Sequence, residues 1–208
     1  AEYFAGIAKY DYGGFAANID SASAFGVSII RFGVDDIPNT TQLIDADGNV
    51  DYDRISSFSV ADYAFIFSYA RKSKITGLNY GANVKVIYRN VGEFANAWGF
   101  GVDAGAQYDY KSWQFGLMLR DVTSTFNAWT VSFTEREKQV LLATNNELPD
   151  INSVEVTKPS MVLGIAYQMQ FDKISFLPEL NFVATTDGKR NTLIKGDPIS
   201  IDPSIGLE

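Results

Sequence analysis

The amino-acid sequence predicts an all-β protein, and within that class an antiparallel, transmembrane up-and-down β-barrel. Apolar residues recur with a period of two over most of the chain, as they do along one face of a β-strand. The alternating segments run for about ten to fifteen residues, whereas strands of globular proteins average about five or six and a tilted bilayer crossing needs about 9 to 11. Aromatic residues stand near the ends of the apolar faces, where membrane barrels carry aromatic girdles.

Composition excludes several functional classes. The chain has 208 residues with no Cys and no His, a net charge of −8 and a hydrophobic content of 46%. Without Cys or His, the catalytic triads, thiolate chemistry and His/Cys zinc sites are excluded. The negative charge disfavours a nucleic-acid partner. No run approaches the 18 to 20 apolar residues, roughly, of a membrane-spanning helix.

The alternation predicts nine strands. In the clearest one, Trp98, Phe100 and Val102 alternate with Gly99, Gly101 and Asp103. Each predicted strand has one apolar face and one face of small or polar residues. A soluble, half-buried antiparallel sheet alternates in the same way, and is the alternative to a membrane barrel. The predicted strands are 7–19, 24–34, 57–71, 78–90, 97–110, 113–122, 159–170, 174–186 and 199–208.

Loop lengths favour the barrel over the soluble sheet. The connections after strands one, three, five and seven are short, and the long connections, 35–56, 123–158 and 187–198, all follow even-numbered strands. The connection after strand four, 91–96, is also short. Outer-membrane barrels pair short periplasmic turns with longer extracellular loops. Because such barrels have an even number of strands, we expect 1–208 to be a single barrel domain, and an internal portion of a longer barrel.

The segment 123–158 is predicted to be a long loop that contains a short helix. Thr134 and Glu137 match a capping box, and the helix would run to about Ala143. Before it, Phe126, Asn127 and Trp129 are candidates for a partner-binding loop, because aromatic side chains often anchor interfaces. The alternative is that the two aromatic residues pack this loop onto the barrel rim.

Two further loops carry candidate sites. Asp187, Lys189 and Arg190 are partner-binding candidates in a segment whose simplest interpretation is a solvated extracellular turn. In the loop 35–56, clustered carboxylates suggest a weak calcium candidate, because Ca²⁺ takes oxygen ligands. The spacing does not fit an EF-hand, and an Asp-Gly pair is by itself a tight-turn signal. The calcium candidates are Asp45, Asp47 and Asp51.

Polar residues on the non-apolar parity are expected to face the lumen. Charges of both signs on an interior face fill and rigidify it, and nothing in the sequence arranges these carboxylates for catalysis. We therefore expect no enzymatic activity and no cofactor. The lumen-facing candidates are Asp62, Asn79, Asn83, Lys85, Arg89, Asp103, Gln107, Arg120, Glu179 and Asn181.

Four segments resemble the PorV/PorQ family of Bacteroidetes outer-membrane proteins. They are 28–40 (SIIRFGVDDIPNT), 97–105 (AWGFGVDAG), 120–129 (RDVTSTFNAW) and 186–192 (TDGKRNT). The resemblance implies a barrel related to the FadL fatty-acid channels, with fourteen strands in full. It also implies location in the bacterial outer membrane and association with the type IX secretion system.

These observations lead to two hypotheses of function. The first is a non-enzymatic barrel that serves as a binding or scaffold component of a protein-secretion or cell-surface assembly, with outer-membrane lipid and other proteins as partners. A structural subunit of a surface machine is not separable from it by sequence. The second is a FadL-like channel for small hydrophobic compounds, which would need an apolar pocket in the lumen.

Overall fold

The computed structural model is an all-β protein with one α-helix. It describes residues 2–4, 7–44, 49–143, 147, 152–172, 174–188 and 192–208. The strands are β1 (Glu2–Phe4), β2 (Ala8–Asn18), β3 (Ser23–Asn39), β4 (Ser56–Lys72), β5 (Leu78–Val91), β6 (Ala95–Tyr110), β7 (Trp113–Arg120), β8 (Thr125–Val131), β9 (Asn152–Thr157), β10 (Ser160–Tyr167), β11 (Met169–Phe171), β12 (Ile174–Phe176), β13 (Pro178–Thr185) and β14 (Ser200–Leu207). The α-helix α1 is Glu135–Ala143, and a 3₁₀ turn covers Tyr52–Arg54.

The strands form one antiparallel meander. Its order is β1-β2-β3-β4-β5-β6-β7-β10-β13-β14, so each strand pairs with its neighbours along the chain wherever no insertion intervenes. Within the described residues, β1 and β14 are the two edges of this sheet. The prediction of a long-stranded antiparallel sheet is confirmed: β3 and β4 each have 17 residues.

The two ends at which the strands terminate differ in character, and we call them the turn edge and the loop edge. At the turn edge, short turns join β2 to β3, β4 to β5 and β6 to β7. At the loop edge, longer segments join β3 to β4 and β13 to β14. β3 runs further toward the loop edge than predicted, because a bulge between Val34 and Ile37 restores its pairing with β4. Asp36, at φ 58°, lies in this bulge.

The interpretation of 123–158 as one loop is wrong in part. It contains β8 and β9, which pair with each other, and β8 also pairs with the first half of β6. β7 pairs with the second half of β6, so β7 and β8 both lie beside β6, one after the other along its length. The predicted helix is confirmed: the Thr134 N–H donates to Glu137 Oε2 at 2.8 Å, and the Glu137 N–H donates to Thr134 Oγ1 at 3.4 Å.

The predicted strands 159–170 and 174–186 are each interrupted. β11 and β12 form a separate two-stranded hairpin beyond the turn edge, which leaves β10 and β13 in the main sheet. The interruption falls at Gln168 and Leu177, which hydrogen-bond to Ser112 and Glu208 respectively.

The sheet is a single layer, so the described residues have little conventional core. Ala61, Phe94 and Ala97 are the buried apolar residues. A small aromatic cluster forms at the loop edge, where the ring centroids of Phe58 and Phe94 lie 5.0 Å apart and those of Phe94 and Phe133 lie 5.9 Å apart. This cluster connects the segment before α1 to β4 and to the turn between β5 and β6.

Candidate functional site

Strand register divides the side chains of the sheet into an apolar face and a polar face. Directly opposed residues share a face, so the row Tyr63–Tyr88–Trp98 lies on the apolar face. The row Asp62–Arg89–Ala97 lies on the polar face, one residue away on each strand. The apolar face is widely exposed: Trp98 is 50% exposed and Phe100 60%.

Two rows of aromatic residues cross the apolar face. At the loop-side row, the ring centroids of Tyr63 and Tyr88 lie 6.4 Å apart and those of Tyr88 and Trp98 lie 4.8 Å apart. The turn-side row is longer, and its rings contact one another across β6, β7 and β10 at centroid distances of 4.7 to 6.3 Å. Its members include Tyr69, Tyr80, Tyr108, Tyr110, Trp113, Phe115 and Tyr167.

Between the two rows the apolar face is uncharged on β4, β5 and β6. Trp98 and Tyr108 stand ten residues apart on β6. At about 3.3 Å per residue and a tilt of about 40°, this separation corresponds to a band about 25 Å tall, the height of the lipid-facing band of outer-membrane barrels. The residues between the rows are Phe65, Phe67, Ala82, Val84, Val86, Phe100, Val102, Ala104 and Ala106.

All ten predicted lumen-facing residues lie on the polar face. One continuous row of opposed residues crosses five strands, from Asn79 through Gln107 to Asn181. Asn83 stands opposite Asp103, and Arg120 stands opposite Ser160. Asp62, Lys85, Arg89 and Glu179 occupy the same face by the same register.

Lys85 is the centre of a largely buried polar cluster on this face. Its Nζ lies 2.7 Å from Asp103 Oδ1 and 2.6 Å from Asp121 Oδ1. The Asp121 N–H donates to Asp103 Oδ1 at 2.9 Å, and the Thr125 hydroxyl donates to Asp121 Oδ1. Gly101 gives this cluster its room, because a Cβ there would lie 2.0 Å from Thr125 Oγ1. The cluster fixes the break between β7 and β8.

Arg89 is the centre of a second cluster, nearer the loop edge. Its guanidinium lies 3.0 Å from Asp62 Oδ1 and 2.8 Å from Glu155 Oε2, and stands 4.9 Å from the centroid of the Trp129 ring. The Trp129 indole N–H donates to Glu155 Oε2 at 3.1 Å. The cluster therefore connects β4, β5, β8 and β9 across the polar face.

The sequence prediction missed Asp121, Thr125 and Glu155, which complete the two clusters. Thr125 and Glu155 fell within the segment interpreted as a loop, and Asp121 fell at the end of the predicted strand 113–122. A signal for them exists in the sequence: apolar-face residues are odd-numbered in β7, as in Leu117, and even-numbered in β8, as in Phe126. Such a change of parity requires an irregularity between the strands.

The partner-binding candidates separate in the structure. Phe126, Asn127 and Trp129 belong to β8 rather than to a loop, and they face opposite ways: Phe126 is 48% exposed on the apolar face, and the other two lie on the polar face. Asn127 is 5% exposed, so it is not a surface contact. Asp187 is exposed at the loop edge after β13. Lys189 and Arg190 lie outside the described residues.

The calcium candidates are represented by Asp51 alone, because Asp45 and Asp47 lie outside the described residues. The Asp51 carboxylate accepts a hydrogen bond from the Asp53 N–H at 3.2 Å and lies 2.9 Å from Arg54 Nε. These contacts cap the 3₁₀ turn. In the part of the chain that the structure describes, no group of three acidic side chains converges to hold a metal ion.

A shallow groove of about 320 Å³ crosses the polar face above Gly116 and Gly164. Its lining combines four polar side chains, Gln107, Gln114, Glu179 and Asn181, with apolar residues that include Met118, Val162 and Ala166 on the polar face. Among the described residues, no helix is long and apolar enough to cross a membrane.

Compared with known proteins, the chain matches no protein-family model. No significant match is found among curated proteins or among solved structures.

Proposed function

We propose that this chain forms part of an integral β-barrel of a bacterial outer membrane. In this proposal the apolar face is the lipid-facing surface and the polar face lines the interior. The observation that carries the proposal is the band on β4, β5 and β6, which is uncharged, widely exposed and bounded by aromatic residues on both sides. Membrane barrels alternate apolar-out and polar-in on each strand, with aromatic girdles at both interfaces.

The exposure of the band argues for lipid rather than water as its surroundings. Burying one side chain of the size of Val, Leu or Phe stabilises a protein by about 1.5–3 kcal/mol. Phe67, Val84 and Phe100 are each at least 50% exposed, so in water their side chains would lack much of this stabilisation. A soluble half-buried sheet would need a second layer against it. In the described residues the one helix, α1, is joined to the sheet near Phe94 and Phe133 at the loop edge.

The polar face supports the same proposal from the other side. Two clusters on it, at Lys85 and at Arg89, pair charged side chains across strands. Paired charges of this kind are typical of the filled interior of a barrel rather than of a nucleophile with an adjacent base. We propose that the barrel is non-enzymatic.

Within the outer membrane, we assign the barrel a binding or scaffold role in a protein-secretion or cell-surface assembly. The resemblance to the PorV/PorQ family motivates this role. The loop edge supports it, because β8, β9 and α1 give that edge ordered structure, and it exposes apolar side chains. Tyr52 is 73% exposed, Leu142 57% and Leu193 79%. We assign these three residues to the partner-binding surface.

The second candidate, a channel for small hydrophobic compounds, would need an apolar pocket on the polar face. The groove above Gly116 and Gly164 offers Met118, Val162 and Ala166 on this face, but three amides and the Glu179 carboxylate line it as well. We therefore rank the channel below the scaffold.

The test is to tag the protein in its native membrane, extract the membranes with alkaline carbonate and then solubilise them with mild detergent. The proposal predicts that the protein stays with the carbonate-insoluble membranes and that secretion or surface proteins co-purify with it in stoichiometric amounts. A triple variant, Y52A/L142A/L193A, should remain in the membrane and lose those partners. The matched control, I75A/F171A/I174A, changes exposed apolar residues at the turn edge and should keep them.

Two results would contradict the proposal in different ways. Release into the carbonate supernatant would overturn the membrane barrel itself. Recovery of the barrel alone, from native membranes and in mild detergent, would overturn the scaffold role and favour the channel.

A further inference from the structure

The β11–β12 hairpin continues the register of the main sheet beyond the turn edge. Ala166 of β10 stands opposite Glu179 of β13, and three residues closer to the tip of the hairpin Met169 stands opposite Phe176. No residue is therefore inserted on either side, although the ladder of the main sheet is interrupted before the hairpin begins. Because side chains alternate with a period of two, the two faces of the hairpin continue the two faces of the sheet.

The two faces of the hairpin have opposite chemistry. The residues that continue the apolar face of β10 and β13 are Met169, Phe171, Ile174 and Phe176. The rings of Phe171 and Phe176 contact each other on this side, with a centroid distance of 6.2 Å. The opposite side carries Gln170 and Ser175. The hairpin is thus amphipathic, and its apolar side continues the face that contacts lipid in the proposed barrel.

The apolar side of the hairpin is largely exposed. Phe171 is 60% exposed and Ile174 58%. The other turns of this edge are less apolar: the β2–β3 and β4–β5 turns each expose one large apolar side chain, Ile19 and Ile75. The β6–β7 turn exposes none. A contiguous exposed apolar surface therefore distinguishes the hairpin from the other turns.

The hairpin begins where the turn-side aromatic row ends. The Tyr167 ring of that row packs on Trp113 at a centroid distance of 4.7 Å, and Met169 is the next residue on the same face. At about 3.3 Å per residue and a tilt of about 40°, Met169 lies about 5 Å beyond the row and Phe171 about 10 Å. The polar interface of a bilayer is about 5–8 Å thick on each side. Met169 falls within that layer, and Phe171 reaches it if the hairpin inclines toward the membrane.

We propose that the β11–β12 hairpin is a membrane-interface anchor. It inclines toward the bilayer at the interruption beside Gln168 and Leu177, inserts its apolar side into the interfacial layer and leaves Gln170 and Ser175 in water. Apolar and aromatic side chains of amphipathic elements are stabilised at this depth. The inference rests on the proposed membrane barrel and adds to it a lipid contact outside the barrel wall.

Two observations favour lipid over a protein as the occupant of this surface. The unbroken register makes the apolar side continuous with the proposed lipid-facing surface at Tyr167. The surface is also small, since a specific protein interface takes about 20–30 residues from each partner and the apolar side of the hairpin has four.

The test uses single cysteines, because the chain has no Cys of its own. F171C and I174C place a nitrobenzoxadiazole label on the apolar side of the hairpin, and S175C places it on the opposite side as the matched control. V84C places the label in the lipid-facing band. Each labelled protein is reconstituted into phosphatidylcholine vesicles. The quenchers are a lipid with a spin label near its headgroup, a lipid with a spin label deep in its acyl chain, and cobalt ions in the water.

The proposal predicts several-fold stronger quenching by the headgroup-region spin label at positions 171 and 174 than at position 175, and the reverse order for cobalt. Adding I174Q/F176Q to the F171C reporter should reduce its quenching by lipid several-fold, because most of the apolar side is then polar. The matched control, I19Q/I75Q, changes exposed apolar residues of two other turns and should leave the quenching unchanged.

The outcomes separate this inference from the proposed function. Equal quenching of the F171C and S175C labels, or lipid quenching of F171C that survives I174Q/F176Q, would overturn the anchor and leave the barrel standing while the V84C label is quenched by the deep spin label. An F171C label that cobalt reaches in vesicles but not in native membranes would show that a protein covers the hairpin, and would also overturn the anchor. Absence of quenching of V84C by the deep spin label would overturn the barrel, and this inference with it.

Discussion

On β5 and β6 the apolar and polar faces alternate residue by residue, and the two faces differ in how their side chains are satisfied. On the apolar face, Val84 and Phe100 have no second layer of protein over them and are half-exposed or more. On the polar face, Lys85 and its partners Asp103 and Asp121 satisfy each other within the sheet. The comparison teaches that the polar face pairs its central charges within the sheet, whereas the apolar face has no protein over it within the described residues, as the proposed lipid contact requires.

Glycine has a different use on the two faces. The band between the aromatic rows on β4, β5 and β6 has no glycine. The polar face of β6 has Gly99, Gly101 and Gly105, and at the first two a Cβ would collide with side chains of β8. The glycines therefore let polar side chains of a neighbouring strand lie across the sheet, which builds the clusters without a second layer.

The largest expected effect follows from breaking the Lys85 cluster. Lys85→Met leaves Asp103 and Asp121 without their cation in a site where the Lys85 and Asp103 side chains are 15% and 8% exposed. Removing one partner of a fully buried pair costs about 3–5 kcal/mol, which is the upper bound for this largely buried cluster. Urea unfolding of the protein in vesicles measures the loss of free energy of unfolding. Lys74→Met, at an exposed lysine of the turn edge, should change it little; equal losses in both variants would contradict the cluster's role.

A smaller effect sharpens the role of the polar-face glycines. Gly101→Ala places a Cβ against Thr125 Oγ1 and 3.1 Å from Thr125 Cβ, and such overpacking costs about 1–3 kcal/mol. Gly116→Ala is the matched control, because a Cβ there meets nothing within 4 Å. It should be neutral or slightly stabilising. The two variants unfolded in urea side by side should differ in midpoint, and coincident midpoints would show that Gly101 is not required.

The smallest effect lies in the turn between β2 and β3, outside both faces. Hydrogen bonds from the Ser23 hydroxyl and the Ala22 N–H hold the pKa of Asp20 below its usual 3.8. Because the folded pKa is depressed, this carboxylate stabilises the turn above about pH 3.8 and stops doing so as the pH falls through the folded value. Asp20→Asn should lower stability slightly at pH 6, and the difference from the parent should shrink as the pH falls below 3.8. A difference that is independent of pH would contradict this assignment.

The alternation predicted β2 and β4 to β6 to within about two residues, because each has an unbroken period of two and a clear apolar parity. It did not predict β8 and β9. The left-handed residues Asp121 and Ser124 interrupt the chain between β7 and β8 and reverse the parity. The alternation of β7 therefore does not continue into β8. For the same reason the predicted strand 24–34 was too short: the bulge near Asp36 reverses the parity before the last residues of β3.

The candidate site was predictable to the extent that it depends on parity alone. The ten polar-face residues share a face because each lies on the non-apolar parity of a regular strand. The remaining partners of Lys85 and Arg89 were not predictable, since Asp121 lies at an irregularity of the chain and Glu155 lies beyond it. The prediction that Phe126 and Trp129 share one loop surface was wrong for the same reason. Both belong to β8, and strand positions of opposite parity face opposite ways.

The central claim, that lipid covers the apolar face, is tested most directly by introducing arginine at adjacent residues of β5. Val84 lies in the band and is 50% exposed, and Asn83 lies beside it on the polar face, opposite Asp103. In vesicles the claim predicts that Val84→Arg loses about 2–4 kcal/mol of the free energy of unfolding, the cost of arginine at the bilayer midplane, and that Asn83→Arg loses much less. If Val84→Arg is as stable as the parent, water rather than lipid surrounds this face and the claim is wrong.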